Sequence, residues 1–177
     1  MTHFNRDEIG LRPARGKVFL ERADVDGIAL HWPGMKTPLG TPAAVKAALR
    51  SWQAQHMAPG GLGDPGGASD IAYQIAVDQD GNTYQLRGLR YRSAANGATD
   101  VNEQYGALLL VLAIGEKPTD DLIRVVQKRI ARHREIFPAS RLIVPHSAVR
   151  PEPTACPGDR VRALITAGAF NPTKETK

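Results

Sequence analysis

The residues best suited to chemistry are one cysteine and two histidines that lie far apart in the chain. Cys156 is the single cysteine, and the proline-rich segment that contains it, residues 145–158, also contains His146. His31 ends a short apolar run far upstream. Thiolate and imidazole are ligands that zinc prefers, and three of them leave a fourth position open for water, which is the catalytic pattern. A core cysteine with two surface histidines explains the same residues equally well.

Two predicted strands and a stiff loop could bring these side chains together. The apolar runs 27–31 and 141–144 have the length of buried strands, and each leads to a histidine. Prolines at positions 151, 153 and 157 predict a rigid loop, because each fixes φ and restricts the residue before it. Pro157 suits the first position of a C-terminal helix, so Cys156 would lie at a helix N-terminus, where the dipole favours a thiolate.

Two further stretches predict long helices. Thr41 and Pro42 suit a cap and a first turn, and apolar residues recur after them at helical spacing. Thr119, with two acids behind it, predicts the start of the second helix. His56 and His133 fall near the ends of these helices. We interpret His56 as a terminal or groove residue and His133 as a surface residue, rather than as ligands.

The remaining apolar runs predict a sheet. Residues 71–77 and 82–86 form a predicted hairpin closed by the turn 78–81, and residues 106–114 predict a central strand buried on both faces. Tyr73 alternates with apolar neighbours, so the pattern alone favours a core tyrosine.

Composition limits the classes of protein. The chain has 177 residues, a net charge of +5 and a pI near 9.6, which favours one domain and a polyanionic partner. A nucleic acid is disfavoured because the basic residues are scattered, apart from a group on the second helix that we interpret as a solvated face (Lys128, Arg129, Arg132, Arg134). No run is long enough to span a bilayer, and the N-terminus lacks the apolar core of a secretion signal.

The domain organisation predicted from these patterns is simple. Residues 1–26 form an N-terminal arm with a short strand at 18–20, residues 27–170 form one domain, and residues 171–177 form a polar tail. We find no internal repeat, and we expect a monomer.

Four segments occur in this order along the chain: the strand that ends at His31, DIAYQI (70–75), DGNTYQL (80–86), and His146 followed by TACPG (154–158). The set resembles the zinc-dependent N-acetylmuramoyl-L-alanine amidases of type 2, which share a fold with the peptidoglycan recognition proteins. The opening segment 5–13 also resembles the lead-in of the recognition proteins. The resemblance covers residues 5–168 and is greatest to phage lysins.

The resemblance implies an α/β fold, with a mixed central β-sheet flanked by helices, in which His31, His146 and Cys156 bind Zn²⁺. The ion would lower the pKa of a bound water to about 7 and polarise the amide between N-acetylmuramic acid and L-alanine. It implies that the Tyr73 hydroxyl stabilises the oxyanion, and that Thr154 donates a hydrogen bond where many relatives carry a lysine.

The resemblance also implies a partner and a place of action. Peptidoglycan would be the substrate, with Trp32 and Asn96 as candidates for contacts to glycan or peptide. A phage endolysin made in the cytoplasm without a signal peptide, and released to the wall through a holin, would not insert into the membrane. Many relatives carry a histidine in place of Ala94.

Three other functions remain open. A non-catalytic peptidoglycan-binding module shares the fold but usually lacks the cysteine ligand, so Cys156 counts against it. A cysteine hydrolase would use Cys156 and His146. A nucleic-acid binder would use the basic charge alone.

Overall fold

A six-stranded mixed β-sheet forms the centre of the protein. The structure is a computed structural model that describes residues 1–150 and 152–173. The strands are β1 (His3–Phe4), β2 (Gly27–His31), β3 (Ile75–Val77), β4 (Thr83–Gln85), β5 (Tyr105–Leu110) and β6 (Leu142–Pro145). Their order across the sheet is β1-β4-β3-β5-β2-β6. Only β3 and β4 are antiparallel, so the sheet is mixed, as predicted.

Helices cover both faces of this sheet. They are α1 (Arg6–Ile9), α2 (Pro42–Met57), α3 (Thr99–Gln104), α4 (Asp120–Ile136), α5 (His146–Val149) and α6 (Asp159–Thr166). Val45 and Leu49 of α2 pack with Leu109 on one face. Apolar residues of α4 and α6 pack with Leu108 and Leu110 on the other face. Because β5 carries core residues on both faces, the predicted central strand is confirmed, although it ends at Leu110 rather than at residue 114. The single α/β domain is confirmed as well. Within the described part of the chain, no helix has the length and hydropathy needed to cross a bilayer.

Both predicted helix starts are confirmed by their caps. The Thr41 hydroxyl accepts a hydrogen bond from the Ala44 N–H at 3.2 Å, and the Thr119 hydroxyl accepts one from the Leu122 N–H at 3.1 Å. Each cap satisfies one of the backbone donors that a helix leaves without a partner in its first turn.

The predicted hairpin forms, but its strands are shorter than the apolar pattern indicated. The side chain of Gln74 bonds the Ala107 N–H and the Tyr91 carbonyl, so it interrupts the strand before Ile75. As a result Tyr73 packs on the α2 face, whereas Ile75 packs on the α4 face. The prediction that residues 71–77 alternate as one strand was therefore wrong, although Tyr73 does pack with apolar residues, among them Ile71.

The two edges of the sheet differ from the prediction. The run 141–144 was predicted as a buried strand, yet β6 is an edge strand in which Leu142 remains 49% exposed. At the other edge, the N-terminal arm supplies β1 and α1. The predicted strand at 18–20 is reduced to one bridge between Phe19 and Tyr91. Edge positions have one neighbour strand only, which explains why an apolar run stays half exposed there.

The C-terminal helix begins later than predicted. α6 starts at Asp159 after Gly158, whose φ is +85°. A Cβ at Gly158 would lie 2.8 Å from the Trp32 ring, so the indole requires glycine there, and Pro157 precedes the helix rather than opening it. The segment predicted as a loop from residue 145 begins with α5, and Pro151 lies outside the described residues, as does 174–177 of the predicted tail.

His133 was predicted to lie at the surface, and it is fully buried instead. Its Nδ1 lies 3.1 Å from the Ser140 hydroxyl, and its ring packs against Phe137 with centroids 4.8 Å apart. The residue occupies the inner face of α4, because helical spacing from Val126 and Ile130 places it there.

Candidate metal centre

The register of β2 and β6 brings the two histidines together. These strands are parallel neighbours, and Leu30 pairs with Pro145. His31 is the next residue of β2, and His146 directly follows the last residue of β6. Both histidines therefore lie at the same end of these two strands. Their ring centroids lie 4.3 Å apart.

Cys156 reaches the same point from the loop before α6. The Ser147 N–H donates to the Cys156 carbonyl at 3.1 Å, which closes the loop back onto α5. The Trp32 N–H donates to the Cys156 sulfur at 3.3 Å, and that sulfur lies 4.0 Å from Nδ1 of His31. One ligand atom from each of His31, His146 and Cys156 lies within 4.8 Å of the other two. The structure thus brings together the three residues that the sequence predicts.

The imidazole of His146 makes no hydrogen bond with the described residues. Both ring nitrogens are buried and without a partner. An unsatisfied buried polar atom costs roughly 1–3 kcal/mol, so this ring needs a partner that the described chain does not supply. A metal ion held between His146, His31 and Cys156 would provide one, and two neutral imidazoles with one thiol fit the donor preference of zinc.

Asn96 is buried next to His31 and does not line a groove. Its side chain is fully buried, and its Oδ1 lies 2.9 Å from Nε2 of His31. The prediction that Asn96 contacts glycan or peptide was wrong, because no part of the side chain is accessible. Metal-ligating histidines usually bond a second residue through the ring nitrogen that does not face the metal. That requirement was the one indication in the sequence that a polar residue such as Asn96 would bond His31.

Burial sets the ionisation of the three candidate ligands. Burial and, second, the neighbouring His146 lower the pKa of His31 to about 3, while the hydrogen bond to Asn96 acts in the opposite direction. Burial also lowers the pKa of His146 to about 4. Both rings are therefore neutral near pH 7, the form that binds metals.

The thiol of Cys156 is not activated by a helix, contrary to the prediction. α6 begins only at Asp159, and burial raises the pKa of Cys156 to about 11, although the N–H of Trp32 opposes the rise. A bound divalent cation deprotonates a coordinating thiol outright, so metal binding does not depend on prior activation.

Tyr73 lies next to the three candidate ligands. Its ring meets His31 edge-on with centroids 5.4 Å apart. A cleft of about 220 Å³ opens beside it, lined by Pro33, Trp52, Gln55, His56 and Tyr73. The Tyr73 hydroxyl has no hydrogen-bond partner among residues 1–150 and 152–173. Burial raises the pKa of Tyr73 well above its usual value, so the hydroxyl keeps its proton and can donate.

His56 lines the same cleft, in agreement with its interpretation as a groove residue, but it is not a cation at the helix end. Its Nδ1 accepts a hydrogen bond from the Ala72 N–H at 3.1 Å. Burial, followed by the charge of Arg87, lowers the pKa of His56 to about 4, so the ring is neutral. The bond also ties the end of α2 to the segment that carries Tyr73.

Thr154 and Trp32 flank the cysteine. The Thr154 hydroxyl accepts a hydrogen bond from the Cys156 N–H at 3.2 Å, which leaves its proton free to donate. Trp32 lines a cleft of about 410 Å³ on the other side of Cys156, together with Ile114 and Pro157. Contact of Trp32 with glycan or peptide stays a prediction, as does the catalytic role of Thr154.

The sequence matches no protein-family model, and it matches no curated protein. The structure, in contrast, is similar to solved structures of peptidoglycan recognition proteins. Drosophila PGRP-LB is 20% identical with a TM-score of 0.79, over 99% of this chain and 98% of that chain. Peptidoglycan recognition protein LE in complex with tracheal cytotoxin, a monomeric diaminopimelic acid-type peptidoglycan, is 20% identical with a TM-score of 0.79, over 99% of both chains.

A third structure, bumblebee PGRP-SA, is 17% identical with a TM-score of 0.76, over 93% of both chains. The similarity therefore extends over nearly the whole length of each chain and includes the N-terminal arm. The chain has the fold of the peptidoglycan recognition proteins, which confirms the fold that the sequence resemblance implied.

Proposed function

We propose that this protein is a zinc-dependent N-acetylmuramoyl-L-alanine amidase that acts on peptidoglycan. The observation that carries the proposal is the buried His146, whose two ring nitrogens lack partners while His31 and Cys156 lie within ligand distance. A non-catalytic peptidoglycan-binding module would need neither the cysteine nor an imidazole held without a hydrogen bond.

Each residue of the site has a distinct part in the proposed reaction. His31, His146 and Cys156 would hold the ion, and Asn96 keeps the His31 ring in one orientation and one tautomer. Zinc bound there would polarise the scissile carbonyl and lower the pKa of a bound water to about 7. The protonated hydroxyl of Tyr73, next to His31, donates a hydrogen bond to the oxyanion that develops on the carbonyl oxygen.

Peptidoglycan is the proposed substrate for two reasons. The fold is that of proteins described as recognising peptidoglycan, and one of them is in complex with a monomeric peptidoglycan fragment. The chain also carries a net charge of +5, which favours association with a polyanionic cell wall. The proposal includes the role of a phage endolysin, which predicts lysis of bacterial cells by protein added from outside once any outer membrane is permeabilised.

Metal content and product analysis test the proposal together. Purified protein should contain about one zinc per chain, and digestion of peptidoglycan should release free N-terminal alanine without new reducing sugar ends. His146→Ala and Cys156→Ser should each lose zinc and turnover, because alanine offers no ligand and a neutral hydroxyl is a poor one. Ser147→Ala, which leaves the backbone bond to Cys156 intact, is the matched control and should keep both.

The outcomes separate the alternatives. New reducing ends without free alanine would identify a glycosidase. Binding of peptidoglycan with zinc but without hydrolysis would identify a binding module. Full activity in chelated, zinc-free protein would identify a cysteine hydrolase and overturn the metal assignment.

A further inference from the structure

A second cleft lies at the β1 edge of the sheet, away from the candidate zinc site. It has a volume of about 170 Å³ and is lined by Met1, Thr2, His3, Gly81, Thr83, Val125, Lys128 and Arg129. Three strand positions separate β4 from β2, or roughly 14 Å at the usual strand spacing. The cleft is therefore a distinct place on the molecule, and nothing in the amidase reaction uses it.

Arg129 and Lys128 are the charged side chains that line this cleft, and Arg129 bonds to the sheet. Its Nη2 donates to the Thr83 hydroxyl at 3.3 Å, whereas its Nε is buried and has no partner among the described residues. A guanidinium offers its donors as a rigid planar fork, so the orientation fixed by Thr83 also fixes Nε. The helical pattern allows two positions for Arg129, a solvated face or the edge of the inner stripe, and the buried part of its guanidinium agrees with the second.

Two other arginines of α4 have acidic partners, whereas Arg134 donates to the Arg141 carbonyl. Arg124 pairs with Asp121, and Arg132 pairs with Glu135. Arg129 makes no ion pair with the described residues, although burial removes part of its hydration and lowers the pKa of its guanidinium. A desolvated cation without a counter-charge is unfavourable, and an anion bound in the cleft would supply that charge.

Other donors of the cleft point to the type of anion. Nδ1 of His3 lies 2.8 Å from the same Thr83 hydroxyl, so β1, β4 and α4 each contribute one polar side chain. A water molecule takes up about 30 Å³ of liquid, so the cleft has room for a group of several heavy atoms. Polar side chains that converge from three elements, with the Arg129 guanidinium as the charged donor, suit an anion with several oxygens, and arginine binds phosphate oxygens in particular.

We propose that the cleft between His3, Thr83 and Arg129 binds a phosphate group. The group belongs either to free phosphate or to a phosphodiester of an anionic cell-wall polymer. The assignment is independent of the proposed amidase activity, because it uses no residue of the zinc site. A wall-polymer phosphodiester would hold the protein on the wall while the zinc site acts on the peptide.

Titration with inorganic phosphate tests the site directly. At constant ionic strength, phosphate should bind saturably to the wild-type protein by calorimetry and raise its melting temperature more than chloride does. Arg129→Gln should abolish this binding. Arg129→Lys should weaken it about tenfold to hundredfold, the loss of one hydrogen bond to a charged group. Arg132→Gln, which removes the same charge from the exposed face of the same helix, should bind phosphate as the wild type does.

Two further variants keep the test decisive. Should Arg129→Gln fail to fold, His3→Ala and Thr83→Val each remove one polar side chain of the cleft and should weaken binding. All of these variants should keep wild-type turnover on peptidoglycan fragments without phosphate, since none touches the zinc site. Absence of saturable phosphate binding, or equal binding by the wild type and Arg129→Gln, would overturn the proposal.

Sedimentation with cell walls distinguishes the two sources of phosphate. Retention on walls that carry phosphodiester polymer, with loss after the polymer is stripped, identifies the polymer as the ligand. Saturable phosphate binding with equal retention on both walls identifies free phosphate. Retention of a DNA oligomer through Arg129 that phosphate does not compete would overturn the assignment in favour of a nucleic-acid site.

Discussion

Asn96 fixes which nitrogen of His31 faces the candidate metal. Its Oδ1 lies 2.9 Å from Nε2 of His31. Its Nδ2 donates to the Tyr105 carbonyl at 2.8 Å and lies 3.3 Å from the Ser93 hydroxyl, so the amide oxygen must point toward the imidazole. Nε2 of His31 therefore carries the proton, and the unprotonated Nδ1 faces Cys156. The Asn96 amide, which was predicted to line a groove, is thus buried and decides the tautomer of His31.

Loss of this amide should weaken metal binding. Asn96→Ala should lower zinc affinity about tenfold to hundredfold, the usual effect of removing the second partner of a metal-ligating histidine. Competition with a chromogenic chelator measures the change. Asn96→Asp keeps an acceptor next to Nε2 and should retain most of the affinity. Unchanged affinity in Asn96→Ala would show that the bond is structural only.

Tyr73→Phe should retain the fold and zinc but lose most of the turnover. The ring still packs beside His31, while the hydroxyl without a protein partner is removed. Losing an oxyanion donor lowers kcat by about 10²–10³-fold. Turnover and bound zinc should be measured on the same sample. Wild-type turnover would establish Tyr73 as a packing residue and return it to the interpretation that the sequence pattern favours.

Thr154→Ala should have a smaller effect. Its hydroxyl accepts from the Cys156 N–H, so the substitution removes one neutral hydrogen bond, worth about 0.5–1.5 kcal/mol. Thr154→Ser keeps the hydroxyl and should behave as the wild type. A loss of turnover in Thr154→Ala as large as that in Tyr73→Phe, with zinc retained, would give Thr154 an equal part in catalysis.

His133 should make the protein sensitive to acid. Burial, with a smaller contribution from Arg134, lowers the pKa of His133 from 6.5 to about 4 in the folded state. The unfolded chain then binds more protons between these values, so stability is full above pH 6.5 and falls as pH decreases toward 4. His133 should lower the free energy of unfolding by on the order of 3 kcal/mol over this range, because one pKa unit corresponds to 1.36 kcal/mol.

Urea unfolding at pH 7 and pH 4.5 checks this prediction. His133→Gln does not titrate in this range, so its free energy of unfolding should fall less than that of the wild type between the two pH values. Comparison of the two proteins isolates His133 from the other buried histidines. An identical fall in both would mean that His133 takes no proton when the chain unfolds.

The ion pair between Arg6 and Asp70 should hold the N-terminal arm on the domain. Arg6 Nη1 lies 2.8 Å from Asp70, whose carboxylate is 2% exposed. Removing one partner of a buried pair costs about 3–5 kcal/mol, because the other charge stays buried. Gln53 still donates to Asp70 at 2.6 Å in the variant. Arg6→Ala should therefore lower the free energy of unfolding, measured with urea, by an amount near the lower end of this range.

A second ion pair provides the control. Arg92 and Glu103 pair at 2.6 Å near the surface, so Arg92→Ala should change stability by no more than about 1 kcal/mol. Equal effects of Arg6→Ala and Arg92→Ala would contradict the structural importance of the arm.

The sequence by itself determined the parts that depend on local patterns. Helix caps at Thr41 and Thr119 follow from short-range chemistry, and so does the hairpin turn, where the buried Asp78 accepts hydrogen bonds from its own turn and from Tyr84. The central strand β5 was equally clear, because only a strand covered on both faces is apolar throughout. His31 could be placed at a strand end for the same reason.

The partners of each site residue depend on contacts between distant segments, and only the tertiary structure decided them. No local pattern places the Asn96 amide next to His31, since 65 residues separate them and the loop before α3 must meet the end of β2. Burial of His133 and Arg129 likewise depends on what packs against the inner face of α4, because the helical period gives the face but not the segments that cover it. Which face Tyr73 occupies was decided by Gln74, whose side chain replaces a strand hydrogen bond. Periodicity reports which side of an element is apolar, whereas the neighbour on that side is set by how the strands are ordered in the sheet.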